Sequence, residues 1–481
     1  MHVVRCFHAV LLILSPRLEV DPMRYLDGRS THLVRLAGAA LLASSLFAPA
    51  PLRAQADDPL GGYVRQAIEG NLGLRQERLA ADRANAEVRE ARGLFLPTVA
   101  FDARYSEMSG GINIGDLVNP AYGALNELTG SDRFPTDVDA RLPLAQETRV
   151  RIAQPLFQPA IGENHRLRRT LRDLQGHTLN AATRQLAADV QSAYLDYARS
   201  VRVVELYRST LPLLDENLRV AERLVARGTA TPDAVLRARA ERGETQQALA
   251  EAEVRSQSAL RRFNHLLNRG LDTPVEVLPD SALAFAMTVD EDAAVRRALT
   301  GREELLQSDA GIAAAESQVR LAGAARLPTV ALAVDYGIQG PGYRLSADDD
   351  FAVASLVVQW NAFNGGQTGA RRQQARISAD QARAGRAQAE QQIELQVRTA
   401  WRSAQVARGA IATAEDRLAA ARRTYELVER RYQEGIAPQI ELIDARTAYT
   451  SAGLNLILTR YDYAARWVQV ERAAALRELG S

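Results

Sequence analysis

The sequence predicts a mixed α-helical and β-barrel membrane protein, with four short strands per chain, very long coiled-coil helices and two internal repeats. Three observations predict it. Landmark motifs occur twice in the same order. The helical stretches hold an apolar seam at a period of 3.5, the mark of helices packing knobs into holes. The short extended stretches alternate apolar with small or charged residues, as a strand with one oily and one wet face must.

Composition narrows the function classes first. The chain has 481 residues, 47% apolar and 24% charged, which is enough apolar surface for a real core. All 59 basic residues are arginine, and 58 acids leave a net charge of +1, so no basic excess argues for nucleic acid as a partner. The one cysteine, Cys6, excludes a disulfide framework and a cysteine metal cluster. The six histidines are scattered without ligand spacing, and no Walker loop, G-x-G-x-x-G or G-x-S-x-G is present. No catalytic residue, metal or cofactor is expected.

Residues 1–56 read as a signal peptide: arginines, a short apolar run, then Ala54-Gln55-Ala56, a small-x-small cleavage signature. Met23 is an alternative start, with residues 1–22 an over-called extension. Cleavage after Ala56 would leave no cysteine for a lipid anchor. Beyond residue 57 no apolar run approaches a membrane helix, so entry into a membrane must be by strands.

The first repeat is expected over 57–285, with a helix, strands at 97–107 and 147–157, a long helix at 162–227 and a helix at 231–268. The second spans 286–476, with a helix, strands at 328–339 and 350–361, a long helix at 366–434 and a helix at 438–475; residues 477–481 form a tail. Leu96-Pro97-Thr98-Val99 returns as Leu327-Pro328-Thr329-Val330. Gln154-Pro155-Leu156-Phe157 has a looser echo in Trp360-Asn361-Ala362-Phe363, and Gly228-Thr229-Ala230 matches Gly435-Ile436-Ala437. A repeat this long is duplication of a whole half, not a solenoid unit.

The seam of the second long helix runs Ile393, Val397, Ala400, Ala404, Ala407, Ile411, Ala414, Leu418, Ala421, Tyr425, Val428, Tyr432. The first helix repeats it from Leu186 through Val190, Ala193 and Tyr197 to Val225. At about 1.5 Å per residue each helix is roughly 98 Å long, deeper than any compact core. Pro212 should kink the first one locally. In the strands Val99, Phe101, Ala103 and Tyr105 alternate with Thr98, Ala100, Asp102 and Arg104, and Val330 to Tyr336 do likewise. The facing of the fourth strand is ambiguous. Four strands cannot close a membrane barrel, and open sheet edges are not tolerated in lipid, so copies must supply 8, 12 or 16 strands. A coiled-coil structural scaffold without channel activity would explain the heptads, but neither the signal peptide nor the paired strands.

These motifs, with Gly365-Gly366 and the glycines Gly228 and Gly435, resemble the TolC-type outer membrane efflux protein family over nearly the whole mature chain. The resemblance implies a homotrimer with a 12-stranded barrel in outer membrane lipid, continued by an α-helical barrel in the periplasm. It implies passive export from an inner-membrane pump through a periplasmic adaptor, in tripartite efflux or type I secretion. It places Gly228, Thr229, Gly435 and Ile436 at helix tips that meet the adaptor. It carries a pore-entrance role to Glu441 and Asp444, three apart on one helix face, and a tethering role to Tyr432. Where the family has a nearby arginine this chain has Ala437. The first loop, 106–146, is unusually long; it either folds over the outer mouth or is a solvated surface.

Overall fold

The computed structural model describes residues 59–107, 112–139, 141–142, 145–279, 287–340 and 349–477. The expected signal peptide lies outside the described residues, as does most of the tail. The elements in chain order are α1 (Pro59–Gly70), α2 (Leu72–Gly93), β1 (Thr98–Tyr105), β2 (Ile112–Asn113), α3 (Gly115–Thr129), β3 (Arg141–Leu142) and β4 (Gln146–Phe157). They continue as α4 (Pro159–Ala226), α5 (Pro232–Leu266), α6 (Glu291–Gly301), α7 (Glu303–Ala324), β5 (Thr329–Gly340), β6 (Asp350–Gln359), α8 (Gln367–Gln433) and α9 (Gln439–Ala473).

α4 has 68 residues, about 102 Å at 1.5 Å each. α8 has 67, about 100 Å. Both are far longer than intrinsic propensity sustains in water, so they stand because a face is packed. That face is the seam: of its twelve positions in α8, from Ile393 to Tyr432, none is exposed, and the equivalent positions of α4 are covered as well. α4 continues through Pro212 from end to end.

The sheet is antiparallel in the order β1-β4-β5-β6, so the two halves join at the β4–β5 pairing. The helices keep the same sequence. On the strand side α2, α4, α7 and α8 lie side by side, and towards the far end the neighbours are α5, α4, α9 and α8. Each half thus contributes two strands and two abreast helices to a continuous wall.

The duplicated Leu-Pro-Thr-Val motif sits where helix becomes strand. Proline cannot continue a helix, and the threonine after it donates its hydroxyl across the sheet. Thr98 Oγ1 reaches the Ala153 carbonyl at 3.3 Å, and Thr329 Oγ1 reaches that of Gln359 at 3.3 Å. Gln154 Nε2 and Trp360 Nε1 then tie the sheet to the helix ends through the carbonyls of Phe95 and Arg326, at 2.9 and 3.1 Å.

The core lies midway along the helices. Tyr63, Tyr194 and Phe263 pack at 5.2–6.0 Å, and the Tyr194 hydroxyl accepts from Leu278 N at 2.8 Å, which anchors the extended segment leaving α5. Burial pushes the Tyr194 hydroxyl above its ordinary pKa, with the Leu278 hydrogen bond opposing. Two arginines organise this region: half-buried Arg184 ties the repeats together, and buried Arg302 fastens the second repeat to itself. Arg184 grips Glu303 through three contacts of 2.7–3.1 Å and also donates to the Arg477 carbonyl at 2.7 Å. Arg302 pairs with Glu304 and donates to Gln396 and to the Ala473 carbonyl.

The stretch read as one long loop, 106–146, contains the helix α3 and the two-residue strands β2 and β3, which pair.

Candidate functional site

Two surfaces can do chemistry on a solute: the helix tips and the wet face of the sheet. At the tips each long helix stops at a glycine in the left-handed region, Gly228 at φ 74° and Gly435 at φ 76°. The capping bonds are the same in both repeats. Thr229 N donates to Leu224 O at 3.0 Å and Gly228 N to Val225 O at 2.9 Å; Ile436 N donates to Arg431 O at 2.8 Å and Gly435 N to Tyr432 O at 3.0 Å. This double closure satisfies carbonyls that a helix end otherwise leaves bare. An added Cβ at either glycine meets open space.

The structure brings the two tips together. Gln439 Nε2, at the start of α9, donates to the Ala234 carbonyl at the start of α5, 3.0 Å away. Two turns further, buried Arg446 of α9 binds Glu241 of α5 through one edge of its guanidinium, its Nε at 3.0 Å and a second nitrogen on the other carboxylate oxygen. The repeat equivalent of Arg446 is Arg239, which stays exposed and reaches Glu222 only at 3.7 Å. The duplication has therefore diverged: the arginine of the second repeat bridges the two tips, and its equivalent in the first does not. Asp233, in the first turn of α5, is held below the usual carboxylate range by the Thr231 hydroxyl, with Arg237 adding to it.

Glu441 and Asp444 lie in the first turns of α9, and their surroundings differ. Glu441 pairs with Arg431 of α8 at 2.9 Å, a counter-charge supplied within the chain. Asp444 is exposed and has no ion pair among the described residues. Tyr432 packs beside Tyr425 against Val428, Ala437, Leu442 and Ala445, and burial raises its pKa. Ala437 belongs to that packing and is buried. Tyr425 stacks on Tyr449 and donates to Glu429 at 2.8 Å, and burial and that carboxylate push its hydroxyl up to about 12.

The sheet settles its own facing through the register. Phe101, Val150, Tyr336 and Ala352 form one row across four strands, and Val99, Ile152, Val334 and Ala354 the next. Leu332 pairs with Leu356, and Val330 with Val358. Many of these side chains are exposed, Phe101 at 70% and Val99 at 69%. The fourth strand therefore presents Ala352, Ala354, Leu356 and Val358 to the oily face. The opposite face carries three arginines and three acids, all paired. Arg151 binds Asp335 with two bonds of 2.7 and 3.0 Å, Arg149 reaches Glu147 at 2.7 Å and Asp102 at 3.6 Å, and Arg104 reaches Glu147 at 3.1 Å.

Among the described residues no group of three or more His, Cys, Asp or Glu could hold a metal ion. No helix among them is long and apolar enough to cross a membrane. Sequence reasoning missed Arg446–Glu241 and Arg431–Glu441. Nothing in the chain order points Arg446 to a counter-charge 205 residues away.

Comparison with known proteins follows the same outline. The family model of the outer membrane efflux protein matches residues 63–269 and again 294–476. The matches begin 231 residues apart (63 to 294) and end 207 apart (269 to 476), the same offsets that separate the duplicated motifs. The extra length in the first copy falls where α3 is inserted. No curated protein sequence matches the chain. Among solved structures the outer-membrane channel OprN is similar at 20% identity and a TM-score of 0.71, covering 87% of this chain and 90% of that one. VceC of Vibrio cholerae gives 16% identity and 0.69, covering 86% and 96%. The open state of MtrE of Neisseria gonorrhoeae gives 17% and 0.70, covering 86% and 88%. These likenesses concern the fold.

Proposed function

The chain belongs to the outer membrane efflux protein family and serves as the outer membrane channel of a tripartite efflux system, and from that premise we propose how this chain builds the duct. Three copies close a 12-stranded barrel, β6 of one pairing with β1 of the next, and the helices continue it as a tube of about 100 Å through the periplasm. The observation that carries this reading is the sheet. One face is oily and exposed, the other carries the paired charges of β1, β4 and β5, and β1 and β6 each have a neighbour on one side only. In lipid such edges must be paired.

The turns at Gly228-Thr229 and Gly435-Ile436 are the docking points for a periplasmic adaptor, which joins the duct to an inner-membrane pump. The test uses Gly228→Asn with Gly435→Asn. Asparagine tolerates the left-handed region, and the added atoms meet open space in this chain, so the turns persist. The unboiled protein should still migrate as three copies. Adaptor copurified with it should fall about tenfold, ~1.4 kcal/mol of docking energy. Undiminished copurification and export would remove the docking role, and a single-copy band would remove the trimer.

Asp444 and Glu441 form the entrance ring, six carboxylates in three copies, favouring cations. Because Arg431 offsets Glu441, Asp444→Ala should lower cation preference in planar-bilayer recordings more than Glu441→Ala, and the double variant most. Equal effects of the two single changes would contradict this ranking, and unchanged selectivity in the double variant would remove the ring.

A further inference from the structure

The insert between β1 and β4 is a built object. Ser106 N donates to Ala145 O at 2.7 Å, extending the strand pairing at its root, and β2 pairs with β3 above it. Two asparagines on α3 hold the returning chain, each with both ends of its amide. Asn119 bonds Val138 N and O at 2.9 and 3.0 Å, and Asn126 bonds Phe134 N and O at 2.9 and 2.7 Å. Tyr122 lies against Phe134, ring centroids 5.6 Å apart. Gly115 is buried because the Val138 carbonyl occupies the space a Cβ would need. Gly115, Asn119, Tyr122 and Asn126 follow at steps of four, three and four, so one stripe of α3 is covered by its own chain.

A second stripe with the same steps lies two residues on, about 200° round the helix: Leu117, Ala121, Ala124, Leu128. All four are exposed, the leucines at 80% and 83%. An apolar stripe at steps of four, three and four is what one helix shows to another in a coiled coil. Leucines at the ends and alanines between let identical helices meet layer on layer, the small residues permitting close approach. A lipid surface suits it poorly. Interfacial helices carry arginine or lysine on the polar side, whereas α3 carries Asp116 and Glu127 and no arginine.

We propose that the Leu117–Ala121–Ala124–Leu128 stripe of α3 packs against the same stripe in neighbouring copies, forming a three-helix cap beyond the outer end of the strands. The partner is a second copy of this chain. The inference rests on the trimeric reading, and the geometry supports the placement: the insert is rooted on β1, the edge strand that reading pairs with the next copy. The extra length of the first repeat thereby becomes an assembly surface.

The test is cysteine cross-linking in a Cys6→Ser background, which leaves no native thiol. Leu117→Cys and Ala124→Cys sit on the stripe; Glu127→Cys sits beside it on the polar side. After mild oxidation of membranes, each stripe variant should give disulfide-linked pairs of chains on a non-reducing gel, and Glu127→Cys should give none. Unlinked chains in both stripe variants, with the unboiled protein still running as three copies, would overturn the cap and leave the duct standing. Linkage through Glu127→Cys equal to that of the stripe would also overturn it. A single-copy band would remove the trimer and the cap together.

Discussion

Replacing Glu303 with alanine is expected to destabilise the helical body by about 3–5 kcal/mol, the cost of leaving a buried charge without its partner. Glu303 is 6% exposed at its side chain and Arg184 12%. Three of the four contacts of Arg184 described here are to this carboxylate, and the fourth is the Arg477 carbonyl. Alanine would remove all three and strand a guanidinium between α4 and α7. Glu303→Gln keeps acceptor geometry and should cost less. The measurement is thermal unfolding by loss of helical circular dichroism. The alanine midpoint should fall by several degrees, with glutamine between it and the parent. An unmoved midpoint for Glu303→Ala would show that the pair carries no net stability.

Glu241→Ala should act at the opposite place, on gating more than on global stability. Arg446 is 4% exposed at its side chain and Glu241 16%, and together they fasten α9 to α5 beside the glycine turns. Removing the carboxylate leaves Arg446 buried and unpaired, again about 3–5 kcal/mol, but the apolar cluster beside the turns is small: Val428, Ala437, Leu442 and Ala445. The strain is released by opening that tip. Single-channel conductance in planar bilayers should rise for Glu241→Ala. The double variant Glu241→Ala with Arg446→Ala removes the stranded charge, so it should retain the raised conductance while regaining part of the lost stability. Conductance equal to the parent in both variants would mean the lock does not hold the entrance.

What could be read from the chain was what repeats at short period. The seam from Ile393 to Tyr432 and the alternation from Val99 to Tyr105 are local patterns, and each translates directly into a covered stripe or a two-faced strand. The duplication made the reading redundant. The fourth strand was ambiguous because Phe351 to Val358 is apolar at nearly every position; only pairing of Ala352 with Tyr336 and Leu356 with Leu332 assigns its faces. The helix in the insert was missed because Pro120, Gly123 and Asn119 lower its propensity, and two asparagines offset this by bonding the returning chain at Phe134 and Val138. The Arg184–Glu303 and Arg446–Glu241 pairs span 119 and 205 residues, beyond any local signal. For Glu441 and Asp444, proposed at the entrance, residue type and position are legible in the chain, and folding supplied the difference between Glu441, paired with Arg431, and Asp444, which has no ion pair among the described residues.

In the proposed barrel the ion pairs of the strands face inward, with a final implication for traffic. Asp102, Glu147 and Asp335 are each matched by an arginine within the same belt, so this stretch presents no net voltage step to a passing solute. Anionic, cationic and neutral molecules should leave through it with equal ease. In such a duct any sorting by sign is complete before cargo reaches the strands.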